Sequence, residues 1–169
     1  MEHNILFNPD GPALAVLPAT PSTVFDLMGT WMTQHPEWEI LRVGGERGKF
    51  SATTGFMNEV AASMQFPYYF GHNWDAFEEC VNDLSWLRGA SYLIVFDSAQ
   101  HLLSDNPEDF GILLRILADA HEQWRAVTTD FGARGVGRMA FQSVFACDPP
   151  AAAAFAQRMR DFGAEFGQL

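Results

Sequence analysis

Positive charge is what this sequence has least of. Ten lysines and arginines stand against 21 aspartates and glutamates, a formal net charge of −11 over 169 residues. A direct DNA or RNA binder places cations on phosphates and releases their counterions, so this balance argues against nucleic-acid binding. Anionic membrane surfaces are disfavoured for the same reason. Cysteine is nearly absent. Cys80 and Cys147 lie far apart, fit no metal-ligand spacing and have apolar neighbours, which reads as two buried free thiols in a reducing compartment. No run of about 18 uncharged apolar residues occurs, so no membrane span is expected. The start, MEHNILFNPDGPALAVLP, lacks a basic region followed by a long apolar run. No export signal is therefore expected, and the expected location is the cytoplasm. The acidity itself has two uses, solubility or long-range attraction of a basic partner.

What the chain does have is apolar residues, 48% of the total, enough to bury one sizeable core. A single domain over residues 1–169 is expected. A short apolar run at 13–17 between prolines suits a strand. Pro21-Ser22-Thr23 opens a helix to about 34, with Phe25, Met28 and Met32 expected on its inward face. Residues 38–43 read as a strand, and Gly44, Gly45 and Gly48 mark a loop. From 54 the stripe Phe56, Val60 and Met64 is helical, with Met57 and Ala61 beside it, and Phe66-Pro67 ends it. A helix is expected over 74–86. The run SYLIVFD at 91–97 suits a strand covered on both faces. A long helix over 107–124 turns Phe110, Leu113, Leu114, Leu117 and Ala118 inward. Residues 138–147 read as the last strand, and Pro149-Pro150 opens a final helix of alanines and phenylalanines. Strands alternating with helices predict an α/β fold on a small parallel sheet. A central unit of about 37–147 carries additions at 1–36 and 148–169, judged from element lengths.

The stretch FPYYFGHNWDAFEEC, residues 66–80, sets aromatics and carboxylates around a glycine turn. Gly71 is expected to take a backbone angle forbidden to a side chain. Asn73 is a good N-cap, and Asp75 then lies in the first turn, where the positive helix end favours a carboxylate. Glu79 stacks one turn further on, although like charges at that spacing repel. Trp74, Phe77, Val81 and Leu84 repeat on the opposite side, so Asp75, Glu79 and Asn82 are expected to face outward as an acidic strip. With Tyr68, Tyr69 and Phe70 just before it, such a surface suits a cationic partner. A solvated acidic face above buried aromatics accounts for the same residues.

The run PYYFGHNWDAFEECVNDLSWL resembles the signature of the barstar family, small protein inhibitors of secreted bacterial ribonucleases. The resemblance rests on Tyr69-Phe70-Gly71, then Asn73-Trp74-Asp75-Ala76-Phe77, then an acidic residue before Cys80. It implies a small parallel sheet and a signature helix that, with its preceding loop, plugs a ribonuclease active site. It implies partner contacts at Tyr69, Gly71, Asn73 and Trp74, key carboxylates at Asp75 and Glu79, and a further acidic contact at Asp119 on the long helix. Glu78 stands where the inhibitor that names the family has an interface tryptophan, and Glu79 where it has an aspartate. The expected function is that of an intracellular inhibitor or immunity protein masking a basic ribonuclease or toxin nuclease. The alternative is an interaction module of the same fold with a non-nuclease partner.

An enzyme is the rival class. Asp75 and Glu79 are an acid-base pair in type, but they are expected on an open helix face with no cleft. His121-Glu122 lacks the second histidine of a zinc-binding helix, and His72 reads as a loop histidine. No G-x-S-x-G elbow occurs, and neither cysteine has an obvious histidine partner. The run GARGVGR at 132–138 precedes a strand and lacks a lysine, so it reads as a turn whose Arg134 and Arg138 neutralise nearby acids. No catalytic residue, metal site or cofactor is expected, and the sequence leaves the oligomeric state open.

Overall fold

A computed structural model describes residues 5–44, 48–131 and 135–169. Gly45 of the expected loop, and Gly132 and Arg134 of the glycine-rich run, lie outside them. The elements run β1 (Leu14–Pro18), α1 (Pro21–Gln34), β2 (Trp38–Gly44), α2 (Thr53–Ser63), α3 (Trp74–Asp83), β3 (Ser91–Asp97), a 3-10 turn (Ala99–His101), α4 (Pro107–Arg125), β4 (Thr128–Asp130), β5 (Val136–Arg138), β6 (Phe141–Cys147), α5 (Pro149–Asp161) and β7 (Gly167–Gln168).

Among the described residues, five strands form a parallel sheet in the order β2-β3-β6-β1-β7. Both faces of a parallel sheet are covered, so its inner strands are apolar throughout. Every residue of β3 and of β6 is buried. The chain crosses the sheet one way from β2 to β3 to β6 to β7, and the other way from β1 to β2. With crossovers of one hand, that reversal sends the connecting helix to the opposite face. α1 is that helix. Its Val24, Met28 and Trp31 share one core with Leu17, Trp38, Ile40, Leu93 and Val95. The helices α2 to α5 share the larger core, which holds Phe56, Phe77, Phe96, Phe110, Phe145 and Phe155.

Three expectations change. α1 is rotated by about one residue: its inward stripe is Val24, Met28 and Trp31, whereas Phe25 is 70% and Met32 49% exposed. Val24, Met28 and Trp31 stand at i, i+4 and i+7, and the Trp31 indole meets the edge of Phe7 with ring centroids 5.8 Å apart. The strand expected over 138–147 is two strands. Arg138 closes a hairpin against β4, and the chain changes partners at Met139 and Ala140 before β6 enters the sheet. The Ala140 amide donates to the buried Ser91 Oγ at 3.0 Å across that step. Finally, α3 stops at Asp83 and does not reach Trp86. Leu84 adopts a left-handed conformation with φ 47°, its amide donates to the Cys80 carbonyl, and its side chain is fully buried. Burying that leucine offsets a backbone conformation that costs a non-glycine residue energy.

The terminal segments are built into this sheet. β1 lies between β6 and β7, and Gln142 Nε2 donates to the Pro12 carbonyl at 2.9 Å and to the Ile5 carbonyl at 3.2 Å. In α5, Phe155 and Met159 are buried in the larger core, while Phe162, just past its end, is 45% exposed.

Candidate partner-binding surface

The turn before α3 separates its aromatics. Phe70 closes a turn on the Pro67 carbonyl and is buried edge-on against Phe66, ring centroids 4.8 Å apart. Tyr68 and Tyr69 point outward, Tyr68 fully exposed and Tyr69 63% exposed. Both readings of these aromatics therefore hold in part: the phenylalanines belong to the core, and the tyrosines do not.

The glycine has a different reason from the one expected. Gly71 does not take a left-handed backbone; His72 beside it does, with φ 52°. The His72 Nδ1–H donates to the Phe70 carbonyl at 3.0 Å. A Cβ on Gly71 would stand 3.0 Å from Asn73 Nδ2, so glycine leaves room for the capping side chain. Asn73 Oδ1 accepts from the Ala76 amide at 2.9 Å, which satisfies one orphan donor of α3.

Packing then orients the helix. Phe77, Cys80, Val81 and Leu84 are buried. Trp74 is half-buried, stacked on Phe56 with centroids 5.3 Å apart, and its indole Nε1 is buried with no acceptor among the described residues. Asp75 and Glu79 face outward and are exposed, and among the described residues neither has a hydrogen bond or an ion pair. Asp75 also sits in the first helical turn, where the macrodipole favours it.

Asn82 does not join them. It is half-buried, its Nδ2 donates to the Glu78 carbonyl at 2.9 Å, and its Oδ1 is buried without a donor among the described residues. The reason is α4, which packs along the flank of α3 that carries Glu78 and Val81. Glu78 is itself half-buried there and pairs with Arg115 Nη1 at 3.4 Å. The same nitrogen reaches Asp119 at 3.2 Å, one turn on along α4. Glu78, Arg115 and Asp119 thus form one ion-paired trio beside the bare pair Asp75 and Glu79.

Sequence reasoning missed two residues of this surface. Arg115 was legible as an i, i+4 partner of Asp119, but only the packing of α3 on α4 brings Glu78 to it. Asp83 stands one turn beyond Glu79, exposed and, among the described residues, without a hydrogen bond or ion pair. The Cys80 thiol lies under this helix face. Burial first, then the charges of Asp83 and Glu79, push its pKa up.

A groove of about 850 Å³ runs along α4, between it and the segments 11–14 and 162–167, and reaches Arg115 and Asp119. It contains neither Asp75 nor Glu79. His121 lines it, buried, with Nδ1–H donated to the Phe141 carbonyl at 2.8 Å. Among the described residues no three histidine, cysteine or acidic side chains gather as a metal site.

A family model described as Barstar (barnase inhibitor) matches residues 46–134, just over half of the chain. The chain belongs to the barstar family. The match takes in the aromatic turn, α3 and α4, and so every residue of the surface just described. The α/β architecture with its parallel sheet agrees with a barstar-like fold. Barstars are inhibitors and not catalysts, and in general they bind ribonucleases. β1, α1, β2, β5, β6, α5 and β7 lie outside the matched stretch, although four of these, β1, β2, β6 and β7, are strands of the same sheet as β3. A search of curated proteins finds no match to this sequence.

Proposed function

We propose that this chain is a non-enzymatic, cytoplasmic inhibitor or immunity protein that masks the active site of a basic ribonuclease. The observation that carries the reading is the bare pair Asp75 and Glu79. They are exposed and unpaired among the described residues, and the resemblance of the aromatic turn and α3 to the barstar signature implies for them the role of key carboxylates. A ribonuclease cleft holds RNA phosphates with cationic side chains, and outward carboxylates offer those side chains charge-assisted partners. Exposed Tyr69, in the turn that leads into α3, supplies an aromatic contact of the kind enriched at interface centres. The acidity of the whole chain speeds the approach of a basic enzyme.

The test is RNA hydrolysis by barnase and by other basic secreted ribonucleases, titrated with the wild-type chain and with the double variant Asp75→Ala, Glu79→Ala. Stoichiometric inhibition by the wild type, lost in the variant, is the expected result. Inhibition that survives the double substitution moves the docking surface elsewhere. No inhibition of any enzyme in the panel favours the same fold serving a non-nuclease partner. Hydrolysis of RNA by the purified chain itself overturns the inhibitor reading.

A further inference from the structure

We propose that the groove along α4 is a binding site for a small organic amine. His121 Nε2 accepts a hydrogen bond from its ammonium group, and the apolar lining beds its carbon body. The site lies apart from Asp75 and Glu79, and it stands whether or not the chain inhibits a ribonuclease.

Close packing builds the groove. One wall is a face of α4, where Gly111, Leu114, Ala118 and His121 recur at helical spacing. The tail after α5 is seated on the start of this face. Gly111 leaves room for it: a Cβ there would stand 2.6 Å from the Phe162 ring. Near the other end of α4, Asp10 pairs with Arg125 at 3.5 Å and tethers the segment 11–14. The two facing segments also touch each other, since a Cβ on Gly167 would stand 3.0 Å from Pro12 Cγ. A groove of about 850 Å³ has the volume of a small-molecule site, and a lining that mixes Leu114, Ala118 and Phe166 with a few polar groups has the composition of one.

His121 decides what fits. It is 2% exposed, and its Nδ1–H is committed to the Phe141 carbonyl at 2.8 Å. In the neutral ring that bond leaves Nε2 as an acceptor. Nε2 has no partner among the described residues, yet it is not sealed from solvent; it opens on the groove that His121 lines. A hydrocarbon filling the groove strips water from this nitrogen and returns no hydrogen bond, which costs free energy. A ligand that brings an N–H or O–H avoids that cost. Charge then selects among donors. Arg115 is shared by Glu78 and Asp119, and Arg125 by Glu122 and Asp10. Glu165 lines the groove, exposed, with no hydrogen bond or ion pair among the described residues. Arg160 stands over the Phe166 ring, 5.4 Å from its centroid, outside the lining. Both guanidinium groups that line the groove are thus taken and a carboxylate is left over, which favours an ammonium and disfavours an organic anion.

The probe is 2-phenylethylamine, titrated at neutral pH into the ¹⁵N-labelled full chain beside 2-phenylethanol and phenylacetate, which keep the ring and change the end group. Saturable amide shifts with the amine are expected over residues 111–125 and 162–167, and the His121 Nε2 signal is expected to move more than that of Nδ1. The alcohol is expected to bind several-fold more weakly, and phenylacetate not at all. His121→Phe keeps the bulk and removes the acceptor; it is expected to weaken the amine about tenfold, the scale of one hydrogen bond. Glu165→Gln is expected to weaken it several-fold. Asp26→Asn on α1 makes the same change in net charge and is expected to leave affinity unaltered. Ala118→Phe fills the groove without touching a polar atom and is expected to abolish binding, which decides the matter should His121→Phe fail to fold. The proposal is overturned by phenylacetate binding as tightly as the amine, by unaltered affinity in Ala118→Phe or in folded His121→Phe, or by the absence of saturable shifts along the groove.

Discussion

The indole N–H of Trp124 on α4 donates to the Val81 carbonyl on α3 at 2.9 Å. That carbonyl is among the last four of α3, which have no donor within their own helix. A side chain from a second helix therefore completes the end of the helix that carries the candidate surface. Trp124→Phe keeps most of the ring and strands the buried carbonyl. The expected loss is about 1–3 kcal/mol of stability, the cost of a buried polar group left unpaired. Chemical denaturation measures it, and amide exchange should show α3 losing protection before α1. A variant as stable as wild type would show that water replaces the indole.

On the proposed function Asp75 and Glu79 bear on binding and not on folding. They are exposed and unpaired among the described residues, so the double alanine variant should keep its stability within about 1 kcal/mol. Asp75→Ala alone should cost slightly more than Glu79→Ala, because Asp75 complements the positive end of the helix. Association of the wild type with an inhibited ribonuclease should slow with salt, as the Debye length falls from about 10 Å at 0.1 M to about 3 Å at 1 M. Stopped-flow mixing at the two salt concentrations checks this; a salt-independent rate argues against electrostatic docking.

On α1 the rotation by one residue gives opposite expectations for neighbours. Trp31 is 3% exposed and lies in the second core, so Trp31→Ala should cost about 3–5 kcal/mol. Phe25 stands in solvent, and Phe25→Ala should change stability by less than about 0.5 kcal/mol. Paired urea melts distinguish them. Equal losses would restore the inward face expected from spacing.

Both thiols should be silent in the native protein. Cys147 is fully buried; desolvation first, then the charge of Asp148, push its pKa up to about 12. Ellman's reagent at about pH 8 meets almost no thiolate there and should label neither cysteine until the chain unfolds. The raised pKa also has a sign for stability. The unfolded thiol ionises near its ordinary value of 9.0 while the folded one does not, so stability is complete below 9.0 and falls as pH rises toward 12. Alkaline melts of wild type and Cys147→Ala, compared for slope, read this contribution.

The strands and helices around the site were legible because their patterns are local. SYLIVFD announces a strand buried on both faces, and β3 covers those seven residues. Asn73 announces a helix start, and its side chain makes that cap. The end of α3 was not legible, since no glycine or proline follows Leu84 until Gly89, while the helix stops on a left-handed leucine. The face of α1 was ambiguous because Phe25 and Met32 are as apolar as the residues actually buried.

The sequence by itself determined the acidic helix: a cap, a helical period and carboxylates at fixed offsets place Asp75 and Glu79 on one side wherever that helix packs. Only the tertiary structure decided which carboxylates stay bare. Arg115 lies 37 residues from Glu78 along the chain, and no local period relates them. They meet because both helices bury apolar stripes in one core beside β3 and β6, and that packing carries α4 alongside α3. Burial set the distance between the helices, and the charges on their rims became partners as a consequence.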